Sequence, residues 1–208
     1  MSQSALLICN GEPPSAALAR RLASKADLVI AADGGANAAR RLGIRPHVII
    51  GDLDSIKNTT RRFFSSSTII QVQRQDNTDL EKALDYLQAK NFKDVTIIGA
   101  TGKRIDFTLG NLSVIWNYTS SMNLTFVGDD WKAMPVESGK EMTAKRGTIV
   151  SLIPFGVCSR ITLKGLRYPL TNATMKVGEI GVSNVVQGSS FKVTVHRGKM
   201  LLFIMNGT

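Results

Sequence analysis

The chain has 208 residues, 43% hydrophobic and 20% charged, a globular balance that excludes general disorder and predicts one large domain or two small ones. Its 26 Lys and Arg against 16 Asp and Glu leave a formal charge of +10, which points to an anionic partner: a nucleic acid, an acidic surface or a polyphosphate. Two cysteines, Cys9 and Cys158, exclude a disulfide framework, no apolar run approaches the roughly 18 residues of a membrane span, and the run 5–9 is too short for a signal peptide, so a cytoplasmic protein is expected.

Short apolar runs at 5–9, 28–32, 48–50, 68–72, 95–98 and 124–127 are continuous rather than alternating, as in strands buried on both faces of a parallel sheet. Helical patterns lie between them at 14–23, 37–42, 79–90 and 108–118. Leu80, Ala83, Leu84 and Leu87 share one face of the third; Leu109, Leu112 and Ile115 share one face of the fourth. Beyond about residue 130 the helical period disappears. Short strands are predicted at 147–153, 159–163, 183–186, 191–196 and 199–205, with turns at Pro154-Phe155-Gly156, Gly188-Ser189-Ser190 and Arg197-Gly198. The expected fold is an α/β N-terminal domain, 1–128, with a mostly parallel doubly wound sheet, followed by a smaller all-β sandwich domain, 129–208.

Six of the 16 acids fall in loops just after N-terminal apolar runs: Asp33, Asp52, Asp54, Asp76, Asp79 and Asp106. In a parallel sheet these loops emerge at the carboxyl edge, where ligands bind. Carboxylates gathered there repel one another and need a cation, for which Mg²⁺ with oxygen ligands is the natural candidate. Helix capping is the competing explanation for any one of them, Asp79 before Leu80 above all. Gly34-Gly35 and Gly99-x-x-Gly102 would let backbone N–H groups approach an anion at a helix start, with Lys103 and Arg104 adjacent. A Walker A loop is absent, since Ile97 stands where its first glycine would be. There is no zinc-spaced Cys pair and no G-x-S-x-G elbow. His47 and His196 read as structural or surface residues.

The segments Ala31-Ala32-Asp33-Gly34-Gly35-Ala36-Asn37, Gly51-Asp52-Leu53-Asp54-Ser55, Gln75-Asp76-Asn77-Thr78-Asp79 and Gly99-Ala100-Thr101-Gly102-Lys103-Arg104-Ile105-Asp106, in that order, resemble the thiamine pyrophosphokinase family. Later segments, Gly165-Leu166-Arg167-Tyr168-Pro169-Leu170 and Gly181-Val182-Ser183-Asn184, resemble its thiamine-binding β domain. The resemblance covers nearly the whole chain. It implies transfer of a diphosphoryl group from ATP to the hydroxyethyl oxygen of thiamine by in-line attack on the β-phosphorus, with AMP leaving. It further implies Asp52, Asp54 and Asp79 as Mg²⁺ ligands, with Asp33 and Asp106 completing a catalytic acidic cluster. Gln75, Thr78 and Arg104 would contact ATP, and Gly34, Gly35 and Gly102 would admit the polyphosphate. Ser183 and Asn184 would lie near the pyrimidine of thiamine, with Tyr168 and Trp131 as candidate stacking residues against its cation. A homodimer is implied, its sites between the acidic domain of one subunit and the β domain of the other.

Two positions depart from the family pattern: Lys103 stands where many members have Gly, and Phe107 where many have His. Three other functions compete: a related diphosphotransferase acting on another alcohol, a basic nucleic-acid-binding protein, and an inactive sensor. The basic pairs Arg20-Arg21, Arg40-Arg41 and Arg61-Arg62 are scattered, without the aromatic interleaving of a nucleic-acid reader. The intact acids argue against a sensor.

Overall fold

The computed structural model of the protein describes residues 3–74, 76–136, 139–179 and 181–205. The chain divides into two compact units, Met1–Asp129 and Asp130–Thr208.

In the first unit six strands, β1 (Ser4–Ile8), β2 (Leu28–Ala32), β3 (Val48–Gly51), β4 (Thr68–Gln71), β5 (Asp94–Ile98) and β6 (Asn123–Val127), form a parallel sheet in the order β6-β5-β1-β2-β3-β4. Leu6, Leu7, Ile8, Ile30, Ile49 and Ile98 are all fully buried. Covering both faces of a strand demands such unbroken apolar runs. The chain walks outward from β1 to β4, then crosses back to place β5 and β6 on the other side of β1. The order therefore reverses between β1 and β5, the switch point of a doubly wound sheet.

Helices α1 (Ala16–Ala23), α2 (Gly35–Leu42), α3 (Asn58–Phe63), α4 (Asp79–Ala89) and α5 (Ile105–Val114) make the connections. Small residues Ala36, Ala38 and Ala39 let α2 lie close on β1 and β2, and the helix ends at Gly43 in the left-handed region (φ +68°). Leu80, Ala83, Leu84 and Leu87 form the buried stripe of α4, packed over β2 and β3. The short α3 has no apolar stripe that periodicity could detect. The fourth predicted helix starts earlier than expected, at Ile105, and no residue of α5 is buried. Leu109, expected on a core face, is 60% exposed.

The second unit is antiparallel. It contains β7 (Trp131–Val136), β8 (Lys140–Thr143), β9 (Ile149–Lys164), β10 (Leu170–Met175), β11 (Asn184–Val185) and β12 (Ser190–Met205). β9 and β12 run 16 residues each and pair along most of that length. β10 and β11 extend the far and near halves of β9; β8 and β7 extend the two halves of β12. Both halves of the ribbon contribute to one apolar cluster, from Val150, Leu152, Met200 and Leu202 to Ile161, Leu163, Val193 and Val195.

The turns expected at Pro154-Phe155-Gly156 and Arg197-Gly198 are instead bends inside continuous strands. A register break between Arg197 and Lys199 marks the bend. Inward residues of β12 are odd-numbered before it (Phe191, Val193, Val195) and even-numbered beyond it (Met200, Leu202, Ile204). That phase shift keeps one face of the ribbon on the core through the bend. Gly198 sits at φ +99°, and a Cβ there would lie 2.7 Å from Cys158 Cα and 2.8 Å from its Sγ. Gly198→Ala is therefore expected to destabilise the fold by about 2–4 kcal/mol, combining left-handed strain with overpacking. Urea denaturation measures this, and an unchanged midpoint would show that the bend does not need glycine.

Candidate active site

A cavity of about 460 Å³ opens in the first unit where the loops after β1, β3 and β5 meet the start of α4. This is the switch point, where two neighbouring loops turn to opposite faces and leave a crevice. The volume is in the usual range for a small-molecule site. Of the residues singled out in sequence, Cys9, Asp52, Asp54, Thr78, Asp79, Gly102, Lys103, Arg104 and Phe107 line it.

The carboxylates converge from separate elements. Asp33, Asp52 and Asp54 each bring an oxygen to within 4.8 Å of the others. Asp33 is 1% exposed, and its Oδ1 has no hydrogen-bond partner among the described residues. Its other oxygen accepts from the Ser55 N–H at 3.0 Å. Burial pushes the Asp33 carboxyl above its ordinary range, the charge of Asp79 adds to the push, and hydrogen bonds from Ser55 oppose it. For Asp52, burial works against ionisation, but the Asp54 N–H and the Lys82 ammonium outweigh it and hold the carboxyl below its usual value. Lys82 lies between two of the acids, its Nζ 3.0 Å from Asp79 Oδ1 and 3.2 Å from Asp52 Oδ2. Asp79 thus joins the group through a shared lysine.

Local structure explains why these acids stay where they are. Asn37, on the buried face of α2, donates from Nδ2 to the Ser55 carbonyl (2.9 Å) and accepts from the Lys57 N–H (3.1 Å), pinning the loop that carries Asp52 and Asp54. Gly51 leaves the space through which Asp33 and Asp79 approach each other. A Cβ on it would lie 2.7 Å from Asp33 Cβ and 3.1 Å from Asp79 Oδ1. Capping does not account for the acids. The N-cap of α4 is Thr78, in a reciprocal box with Glu81, and the next helix after Asp54 begins from Lys57 without a side-chain cap.

Not every expected residue joins the acidic group. Asp106 is apart from the acidic group, exposed, and forked onto Arg104, with Arg104 Nε 3.1 Å from Asp106 Oδ1 and a second contact from Arg104 Nη2 to Asp106 Oδ2. Gly34 and Gly35 do not line the cavity. The missing side chain of Gly35 makes room for the Ile8 carbonyl, so packing of α2 on β1 explains it, while that of Gly34 makes room for the side chain of Asn10, which lines the cavity. Gln75 lies outside the described residues. Lys103 donates to the Asn10 carbonyl at 2.6 Å and ties the loop after β5 to the loop after β1. Phe107 lies beneath the Arg104 guanidinium, 4.3 Å from ring centroid to Cζ. Sequence reading missed Asn10 and Asn111, which line the cavity, and Lys82, which lies behind it. The spacing of Lys82 from Asp79 on a helix, i to i+3, was the available signal.

Cys9 also lines the cavity, but burial, with Asp79 adding, pushes its thiol up to about 12, so it stays protonated near neutral pH. In the second unit Asn184 is buried with its amide engaged. Nδ2 donates to the Tyr168 carbonyl (2.8 Å) and Oδ1 accepts from the Tyr168 N–H (3.0 Å), which fixes the backbone of that residue. The Tyr168 ring itself is 60% exposed. Ser183 is exposed and sits in the left-handed region at φ +63°. Trp131 is half-buried against Phe203, ring centroids 6.2 Å apart.

The raised Asp33 carboxyl has a consequence for stability. A folded-state value above the ordinary value of about 3.9 means the folded chain binds this proton more tightly than the unfolded chain. The stability from that source is complete below the ordinary value and is lost as pH rises through the folded-state value. In metal-free buffer Asp33→Asn should therefore melt higher than wild type at about pH 7.5, and the gap should close as pH falls toward about 4. A gap independent of pH would rule out desolvation of Asp33 as its origin.

Comparison with known proteins follows the same division of the chain. The family model for the thiamin pyrophosphokinase catalytic domain matches residues 19–126, and that for the thiamin pyrophosphokinase vitamin B1 binding domain matches residues 139–201. Thiamine pyrophosphokinase 1 of Arabidopsis thaliana is 30% identical over 212 residues, 87% of this chain and 78% of that protein. Thiamine pyrophosphokinase 2 of Oryza sativa subsp. japonica is 30% identical over 233 residues, 97% of this chain and 85% of that protein. Among solved structures, thiamine pyrophosphokinase from Bacillus subtilis superposes with a TM-score of 0.86 at 23% identity, covering 99% of this chain and 100% of that one, a likeness of fold. With both family models matched across most of its length, the chain belongs to the thiamine pyrophosphokinase family and is an enzyme of that family.

Proposed function

We propose that the chain transfers a diphosphoryl group from ATP to the hydroxyethyl oxygen of thiamine, releasing AMP and thiamine diphosphate. The observation that carries this reading is the meeting of carboxylates from separate loops on one cavity at the switch point, in a chain that matches both family domains. The first unit takes the part of the ATP- and metal-binding domain, the second that of the thiamine-binding domain.

The donor set fits a hard divalent cation. It consists of carboxylate oxygens, and one of them, Asp33 Oδ1, is buried without a hydrogen-bond partner among the described residues. Asp52, Asp54 and Asp79 would hold Mg²⁺, with Asp33 beneath them. When bound, the ion would neutralise polyphosphate charge and favour an in-line approach. Arg104 and Gly102 line the same cavity and suit phosphate oxygens, and Thr78 lines it beside Asp79. In the reaction the thiamine oxygen forms a bond to the β-phosphorus while the bond from that phosphorus to the α,β-bridging oxygen breaks. AMP takes the bridging oxygen and its electron pair. The carboxylates of the group are the available acceptors for the hydroxyl proton.

For thiamine, the reading assigns Ser183 and the exposed ring of Tyr168, with Asn184 holding the Tyr168 backbone in place. The site is completed in a homodimer, with each acidic domain facing the partner's β domain. A cytoplasmic setting agrees with two free, buried cysteines. No helix among the described residues is long and apolar enough to cross a membrane.

A product assay with ATP, MgCl₂ and thiamine, resolved by chromatography against no-thiamine and EDTA controls, tests the reaction. Equal amounts of AMP and thiamine diphosphate are expected; ADP with thiamine monophosphate would overturn attack at the β-phosphorus. Asp54→Asn should lower kcat by about 10²-fold or more with an unchanged melting curve, and wild-type turnover in that variant would remove Asp54 from the metal site. Ser183→Ala should raise the KM for thiamine and leave the KM for ATP alone. The opposite pattern would move the thiamine site elsewhere.

A further inference from the structure

Lys82 is the one buried cation among the described residues, its side chain 2% exposed. It does not line the cavity, whereas both of its partners, Asp52 and Asp79, do. An ammonium in such a place keeps its charge only if carboxylates surround it. Lys82 has two: Asp79 from its own helix, three residues back, and Asp52 from the loop after β3. One N–H goes to a single oxygen of each carboxylate, Asp52 Oδ2 and Asp79 Oδ1, and leaves the second oxygen of each for other partners. A purely structural ion pair would be an odd choice here, because replacing a buried pair by apolar groups is often neutral or stabilising.

We propose that Lys82 is a positioning residue: a resident counter-ion that holds Asp52 and Asp79 together before any metal arrives, and so sets how strongly the site takes a divalent cation. This rests on the metal reading of the acidic group given above. Without the ammonium, carboxylates from two elements face each other unscreened and swing apart, and the oxygen set must be reassembled each time an ion enters. The role resembles that of outer partners that orient metal ligands elsewhere, whose loss costs about 10- to 100-fold in metal affinity.

The test uses the full chain without nucleotide and Mn²⁺ as a spectroscopic probe, with free Mn²⁺ counted by electron paramagnetic resonance. Lys82→Met keeps the length of the side chain and removes its charge; Lys82→Gln keeps an N–H donor without charge. Both are compared with wild type for thermal melting, Mn²⁺ affinity and steady-state kinetics. The Mn²⁺ Kd is expected to rise about tenfold or more in the Met variant, and less in the Gln variant. The Mg²⁺ concentration for half-maximal rate should rise in parallel, with the KM for thiamine unchanged. Equal or tighter Mn²⁺ binding in a folded Met variant would overturn the proposal. If the Met variant fails to fold, the Gln variant decides by the same criterion. Wild-type protein that takes up no Mn²⁺ would instead refute the metal reading itself, which separates the two failures.

Discussion

Like charges brought together at the carboxyl edge of the sheet are the constraint around which the first unit is built. Asp33, Asp52, Asp54 and Asp79 repel one another, and each approach needs compensation. The compensation differs from acid to acid. Asp33 is buried with its carboxyl pushed toward the protonated form, and one of its oxygens takes the Ser55 N–H. Asp52 and Asp79 share Lys82. Asp54 lies at the exposed side, where water screens it. Burial therefore falls from Asp33 through Asp52 to Asp54 within a few ångströms, and the buried end keeps an acceptor oxygen with no hydrogen-bond partner among the described residues. Such crowding of carboxylates is costly to a fold, and costly arrangements of this kind concentrate at functional sites.

Sheet topology creates this convergence. Parallel strands send every β-to-α loop out at one edge, and reversal of strand order at β1 and β5 opens the cavity beside the acids. Precision comes from small devices around the acids. Asn37 fastens the loop that follows β3, Gly51 removes the one Cβ that would separate Asp33 from Asp79, and the Thr78–Glu81 box fixes where α4 starts. The Lys103 bond to Asn10 joins two loops that line the cavity. The Asn37, Thr78–Glu81 and Lys103 bonds each use a backbone partner, so they are set by chain path.

The second unit solves a different problem. Among its described residues there is no helix to cover a sheet, so it bends one long ribbon and lets both halves supply the same apolar cluster. Gly198 and the register break make the bend possible, and the inward face shifts by one residue to follow it. Asn184 then uses its amide to fix the backbone at Tyr168, which leaves an exposed aromatic ring on a rigid base. Rings held this way present a large contact face at little entropic cost.

Much of this was legible in the residues alone. Unbroken apolar runs such as 28–32 and 48–50 announced a buried parallel sheet, because only two-sided burial removes the alternation of a strand. The placement of Asp33, Asp52, Asp54 and Asp79 after such runs announced the acidic edge, since strand direction alone determines where loops emerge. Sequence could not show that Asp106 pairs with Arg104 away from the group, because both placements obey the same local pattern. Nor could it show that residues 149–164 and 190–205 are single strands: Gly and Pro read as turns until a paired neighbour carries the ladder through them. The reasons for Gly34 and Gly35, and the position of Lys82 between two acids, depend on what other elements bring within a few ångströms. Local chemistry thus determined the type of site and its edge of the sheet. Long-range packing alone decided which carboxylates meet and which cation holds them, because distances across strands are not encoded in spacing along the chain.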